Sequence, residues 1–321
     1  YRGVNMLESI CVIGGINIDM KIRTFEPIIK GTSNPGRIFF SCGGVGRNIA
    51  QNLALFGANV ILLGAIGKDW YGQQVISETA SSGVDISRIK ISEKYSTGIY
   101  ISVDNNTGEM ESGFSDMRIS DTVDINYITE NLDKIDLCKI IIIDTNIDID
   151  VINNILKYMY KKDIQCIVEP VSCKKSEKLL YLSYKVDFIK PNLQELVHMS
   201  SLCGCKATDP LSCCRTLKEK FKNFLVTMGE SGVFYYRSED DYYKTFKSYE
   251  IEVKDVNGAG DAFVAGFAYG MSAKKSINQS IKYATAASCI TLMSEKTVSE
   301  DISCASIEKF LSERGENIEN V

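Results

Sequence analysis

The chain has 321 residues, 45% of them hydrophobic and 24% charged, with a formal net charge of −5. This is an ordinary globular composition with length enough for a sizeable core, about two domains at ~150 residues each or one large α/β domain with an appendage. The acidic balance excludes the broad basic footprint of a nucleic-acid binder, and no apolar run reaches the ~18 residues of a membrane span.

The opening YRGVN precedes Met6, which is expected to be the natural start, and no signal-peptide pattern follows it. SICVIGGINIDM begins as a short apolar run that ends at Gly14-Gly15, a buried strand feeding a turn. GRIFFS is a short strand candidate. RNIAQNLALFG places Ile49, Leu53 and Phe56 at helical spacing and stops at Gly57. ANVILLGAIG reads as a second buried strand. WYGQQVISETASSG reads as a helix with Val75 and Thr79 on one side and Gly83 as its stop. TGIYISVDNNTGEMESGF alternates in character around a polar NNTG turn, which predicts an antiparallel hairpin.

CKIIIIDTN, IQCIVEPV, KVDFIKPNLQEL and NFLVTMGESGVFYY supply further strands, with DVINNILKYMYKK a helix among them. Alternating apolar strands and helices imply a mainly parallel sheet covered on both faces. No tandem repeat or linker divides the chain, so a single domain over residues 6–315 is expected. Its hairpin strands, from about 20–42 and 97–118, would form a small sheet or lid on the main body.

The 11 cysteines point to reduced thiols and a cytoplasmic setting. His198 with Cys203, Cys205, Cys213 and Cys214 lacks paired C-x-x-C spacing, which disfavours zinc. His198 is the only histidine, so a general base is better sought among carboxylates. The strongest local signal is DVNGAGDAF. Gly258, Ala259 and Gly260 can present successive backbone N–H groups without obstruction. An apolar helix then runs from Ala262, putting Asp261 near its N-terminus, where free N–H groups and the helix dipole favour an anion. Asp261 could equally be a plain N-cap. Neither G-x-G-x-x-G nor G-x-x-x-x-G-K-[ST] occurs, which disfavours dinucleotide-binding and P-loop folds.

Taken in order, GGINID, CGGVGRNIAQNLALFG, KPNLQE, VTMGESG and DVNGAGDAF resemble the PfkB, or ribokinase-like, family of carbohydrate and nucleoside kinases over nearly the whole chain. The resemblance implies a ribokinase-like three-layer α/β/α sandwich with a small β-sheet lid. It also implies transfer of the γ-phosphoryl group of ATP, with Mg²⁺, to a sugar hydroxymethyl group.

By the same resemblance Asp261 matches the catalytic base, and Gly258, Ala259 and Gly260 the N–H groups that hold the phosphoryl oxygens. Asn17, Asp19, Gly43, Gly44, Asn48 and Asn146 match residues that bind the acceptor. Asn192, Thr227, Gly229 and Gly232 match the ATP side, and Asn192 with Glu195 the N-x-x-E element that orders Mg²⁺. On its own, the Asn192-to-Glu195 stretch is also a helix start with a capping box. Asp255 and Asn257 lie near a K⁺ loop in some relatives. Many of those have threonine where this chain has Asn257, which weakens the expectation of K⁺ activation.

Within the family, SNPGRIFFSCGGVGRNIAQNLALFG, WYGQ, DNNTGEM, EPVS and KPNLQE are similar to bacterial pseudouridine kinases. The resemblance therefore implies a pseudouridine acceptor, with a homodimer through the lid. Another sugar or nucleoside kinase, or a catalytically silent nucleoside-binding protein on the same scaffold, stays open at this point.

Overall fold

The computed structural model describes residues 8–316, so Met6 lies outside the described residues. β1 (Ser9–Ile13) runs into the Gly14-Gly15 turn, and β2 (Asn17–Thr24) and β3 (Gly36–Gly43) follow as an antiparallel pair. The chain continues through α1 (Val45–Leu55), β4 (Val60–Leu63), β5 (Ala65–Gly67), α2 (Trp70–Ser81) and β6 (Lys90–Ser92). The expected hairpin is β7 (Gly98–Asp104) and β8 (Met110–Asp116). Then come α3 (Ile125–Glu130), α4 (Leu132–Ile135), β9 (Cys138–Asp144), α5 (Ile149–Met159), β10 (Gln165–Glu169) and α6 (Cys173–Ser176). β11 (Val186–Ile189), α7 (Leu193–Leu202), α8 (Pro210–Leu217), β12 (Phe221–Thr227), β13 (Val233–Arg237) and β14 (Tyr242–Phe246) follow. α9 (Ala259–Ser272), α10 (Ile277–Leu292) and α11 (Cys304–Ser312) close the fold.

The main sheet has eight strands in the order β14-β13-β12-β11-β10-β9-β1-β4. From β4 to β12 every pairing is parallel, and β13 and β14 add an antiparallel edge. Successive side chains of a strand point to opposite faces. Ile10, Val12, Ile140 and Ile142 therefore enter one core layer with α1, α9, α10 and α11. Cys11, Ile13, Ile141 and Ile143 enter the other, with α3, α5, α7 and α8. Burial on both faces is why these strands read as unbroken apolar runs.

Two segments differ from expectation. ANVILLGAIG is two strands: β4 joins the main sheet, while β5 pairs with β6. The break is at Gly64, where a side chain would come within 2.8 Å of the Gly14 carbonyl oxygen. NFLVTMGESGVFYY is a hairpin of β12 and β13, because Gly229 and Gly232 take positive φ of 58° and 89° and reverse the chain.

The lid is a separate four-stranded sheet, β3-β2-β7-β8, from residues 17–43 and 98–116. It starts earlier than expected: Asn17 and Asp19 belong to the lid strand β2, not to the end of β1. Register puts Asp19 beside Ser41 and Tyr100, and Lys21 beside Phe39 and Ser102, on one face. The other face carries Met20, Phe40, Ile101 and Phe114 in one row and Ile22, Ile38 and Val103 in the next. Ile38, Phe40 and Phe114 on this apolar face are 66%, 59% and 61% exposed.

Candidate active site

The parallel strands β1, β9, β10, β11 and β12 all deliver their carboxyl ends to one edge, where open α/β sheets bind ligands. The N-terminus of α9 faces that edge. Gly258 is its N-cap, with φ 77°, and a side chain there would lie 1.9 Å from the Thr297 carbonyl oxygen. Only glycine fits both demands. The first-turn N–H groups of Ala259, Gly260 and Asp261 have no acceptor within the helix, so this end attracts anions.

Asp261 is not the N-cap: the helix begins before Ala262, and Asp261 is its third residue. Asn48 Nδ2 donates to Asp261 Oδ2 at 2.9 Å. The residue is half-buried, and enclosure by protein raises its carboxyl from the ordinary aspartate value to about 7. Donation from Asn48 and the charge of Lys190 oppose that rise, while Asp144 and Asp19 add to it. A carboxylate enclosed beside an open helix N-terminus has the chemistry to abstract a proton from an alcohol.

The residues expected on the acceptor side are tied together by a carboxylate that the sequence did not single out. Asp144, fully buried at the end of β9, accepts from the N–H groups of Gly15 and Gly46 through Oδ2, each at 2.8 Å. Its Oδ1 accepts from the Asn146 N–H, also at 2.8 Å. Residues 14 and 46 must be glycine, since a side chain at either would collide with the other's backbone within 3 Å. One carboxylate thus aligns the turn before Asn17, the helix start before Asn48, and Asn146.

Asn17 Nδ2 donates to Asp19 Oδ1 at 2.6 Å. Burial raises the Asp19 carboxyl, against the Asn17 donation and the charge of Arg47. Gly43 leaves room for that carboxylate, which would lie 2.1 Å from an added Cβ. Gly44, with φ 101°, lies close over the Gly15 carbonyl. Asn48 is buried, not an exposed helix residue. Asn146 Oδ1 accepts from Lys175 Nζ at 2.5 Å.

A second unforeseen group lies beside Gly260. Lys190 Nζ lies 2.8 Å from Glu169 Oε2, both side chains about 6% exposed. The ammonium sits against Gly260, 3.0 Å from where a Cβ would be. Burial disfavours its charge, but Glu169, Glu195 and Asp261 outweigh that and keep Lys190 protonated. Glu169 leads into a strained corner: Val171 has φ 65°, an outlier for a β-branched residue, and Ser172 N–H donates to the Pro170 carbonyl at 2.7 Å.

Asn192 and Glu195 form the capping box of α7, at 2.8 and 2.9 Å. Thr227 N–H donates to the Pro191 carbonyl, which brings the ends of β11 and β12 together. Gly229 and Gly232 shape the adjoining turn, where a Cβ at Gly232 would meet the Phe246 carbonyl at 2.0 Å. Asp255 accepts from the N–H and the side-chain amide of Asn257, at 2.9 and 2.8 Å, in a local loop bond.

Among the described residues, no three His, Cys, Asp or Glu side chains converge to hold a metal by themselves. Even so, Glu169, Glu195 and Asp261 bear on the single ammonium of Lys190. That gathering of carboxylate oxygens fits a Mg²⁺ ion held chiefly by phosphates and water.

The overlooked groups left faint traces. Asp144 in IIIIDTN, Glu169 in CIVEPV and Lys190 in DFIKPN each interrupt an apolar run at a strand's carboxyl end. A charge placed where a parallel strand terminates was the available signal.

Comparison with known proteins agrees with this geometry. A family model described as pfkB family carbohydrate kinase matches residues 7–302. The chain is 34% identical over 303 residues to pseudouridine kinase of Escherichia coli K12, covering 94% of this chain and 95% of that protein. It is 24% identical to guanosine-inosine kinase of Exiguobacterium acetylicum, covering 86% and 91%. Arabidopsis thaliana ribokinase complexed with ribose and ATP superposes with a TM-score of 0.83 at 19% identity, over 95% of this chain and 99% of that one, which establishes the ribokinase-like fold.

Proposed function

We propose, from the premise that the chain belongs to the pfkB family of carbohydrate kinases, that it transfers the γ-phosphoryl group of ATP to the 5′-hydroxyl of pseudouridine. The coarser activity, a sugar or nucleoside phosphotransferase with an alcohol acceptor, comes with the family. The acceptor is supported by the likeness to the Escherichia coli enzyme. ATP is supported by the ATP-bound ribokinase neighbour. The observation that carries the mechanism is Asp261 held by Asn48 at the open N-terminus of α9.

In this reading the ribose lies over Gly43 and Gly44, with Asn17, Asp19, Asn48 and Asn146 bonding to its hydroxyls. Amides and carboxylates are the natural partners of vicinal diols. Asp261 accepts the 5′-hydroxyl proton as the oxygen–phosphorus bond forms and the bond to ADP breaks. The N–H groups of Ala259, Gly260 and Asp261, with Lys190 behind them, stabilise charge on the transferring oxygens. Thr227, Gly229 and Gly232 border the ATP, and Asn192 and Glu195 order the water around Mg²⁺. When bound, that cation neutralises phosphate charge. The loop bond between Asp255 and Asn257 gives no support for K⁺ at Asp255.

Initial rates with pseudouridine, uridine, ribose and fructose test the acceptor. The expected order has pseudouridine first in kcat/KM by at least tenfold. Good turnover of ribose with none of pseudouridine would instead favour a ribokinase-type activity.

The same reading gives the apolar lid face, with Ile38, Phe40 and Phe114, to a second copy of the chain. Sedimentation should then show a dimer that Phe40→Ser with Phe114→Ser converts to monomer. A monomeric wild-type protein at micromolar concentration would refute it.

A further inference from the structure

Arg47 is one of the largest fully buried side chains of the molecule, 1% exposed, and its carboxylate partner Glu78 is 52% exposed. Its Nε donates to Thr79 Oγ1 at 3.1 Å and its Nη2 to Glu78 Oε1 at 2.7 Å, both on α2. Its Nη1 donates to the Cys42 carbonyl of β3 at 3.1 Å and to Asn48 Oδ1 at 3.2 Å. The other end of the same amide, Asn48 Nδ2, donates to Asp261 Oδ2 at 2.9 Å.

A guanidinium only donates and an ionised carboxylate only accepts. Of the two orientations of the Asn48 amide, therefore, one satisfies both neighbours. The flipped form would set N–H₂ against guanidinium and a carbonyl oxygen against carboxylate. Arg47 reaches Asp261 through that amide, and its charge also bears on Asp19, whose carboxyl it helps to hold down. A buried charge is costly to keep where an apolar side chain of similar volume would pack, so its retention calls for a task.

We propose that Arg47 is a positioning residue that locks the Asn48 amide, so that Oδ2 of Asp261 is occupied and Oδ1 is left to take the acceptor's proton. The inference rests on Asp261 acting as the base. It also ties the lid strand β3 and the helix α2 to the orientation of that base through one guanidinium.

The test is the pH profile of kcat for the full-length protein, wild type against Arg47→Met and Arg47→Lys, with ATP and the best acceptor of the panel. Asp261 is faced by Asn48 from α1, Lys190 after β11, Asp144 of β9, Asp19 of β2 and Glu169 of β10. Donation from Asn48 favours the ionised form, so a freed, flipping amide makes Asp261 hold its proton to higher pH. The acid limb should move up by about one pH unit and turnover below it fall about tenfold, with the KM for ATP within twofold of wild type.

Arg47→Lys, which keeps the charge but cannot span four acceptors, should give a smaller shift in the same direction. If Arg47→Met does not fold, Thr79→Val removes one guanidinium anchor with little change of shape and should also shift the limb upward. Folded Arg47 variants with the wild-type acid limb would overturn the proposal. A wild-type protein without kinase activity, or an active Asp261→Asn variant, would overturn the base assignment beneath it instead.

Discussion

Asp261→Asn is expected to lower turnover by about 10²–10⁴-fold, the range for loss of a general base, and at the same time to make the protein more heat-stable. The first effect follows from the proposed proton transfer. The second follows from the carboxylate's surroundings. Enclosure raises Asp261 to about 7, so the native state holds this proton more tightly than the unfolded chain does. Its ionisation is without cost below the ordinary aspartate range, costs progressively more as pH rises toward 7, and costs in full above it. Asparagine removes that cost and can still accept from Asn48 Nδ2.

The melting temperature should therefore rise by about 2–4 °C at pH 8, and by less at pH 5. Differential scanning calorimetry at the two pH values, beside initial rates, measures both. Near-normal turnover would remove Asp261 from the mechanism. A melting temperature lowered equally at both pH values would contradict the electrostatic account.

Lys190→Met should be damaging twice, and the two losses can be separated. Removing the ammonium leaves Glu169 buried without its counter-ion, a change that costs about 3–5 kcal/mol in comparable pairs. Burial raises the Glu169 carboxyl, so at low pH the orphaned group holds a proton and the loss is milder, deepening as pH rises. Glu169→Gln in the same chain should restore most of the stability, because amide and thioether replace charge by neutral groups.

Turnover should not return with it. If the ammonium beneath Gly260 steadies the transferring phosphoryl group, both the single and the double variant should run about 10²–10³-fold slower than wild type. Urea unfolding and initial rates on the single and double variants test this. A double variant with wild-type turnover would show that Lys190 serves only as a counter-ion to Glu169.

Much of this architecture was legible in the residues. Apolar runs such as CKIIIIDTN declare a strand covered on both faces, and the helix after it, α5, buries one stripe, Val151, Ile152, Ile155, Leu156 and Met159. The lid was visible because TGIYISVDNNTGEM alternates with period two where its neighbours do not. The glycines at 43, 44, 258 and 260 advertised places where backbone must approach something closely.

Contacts between distant segments were not legible. The three backbone N–H groups on Asp144 come from residues 15, 46 and 146, and the strand-end position that marks the carboxylate says nothing of those partners. The Arg47 side chain follows the same rule, since three of its four hydrogen-bond partners, Cys42, Glu78 and Thr79, lie on other elements. The split of ANVILLGAIG at Gly64 depended on the nearby Gly14 backbone, which only the folded chain brings there.

The Asp144 hub also bears on how this scaffold can change. Its three donors are main-chain groups, so no substitution elsewhere can replace the carboxylate and retain the glycine crossing at residues 14 and 46. The turn at Gly15, the start of α1 and Asn146 are therefore held as one piece by a single side chain. The lid face that carries Asp19 is built differently, since Phe39, Ser41, Tyr100 and Ser102 are set beside one another by strand register alone.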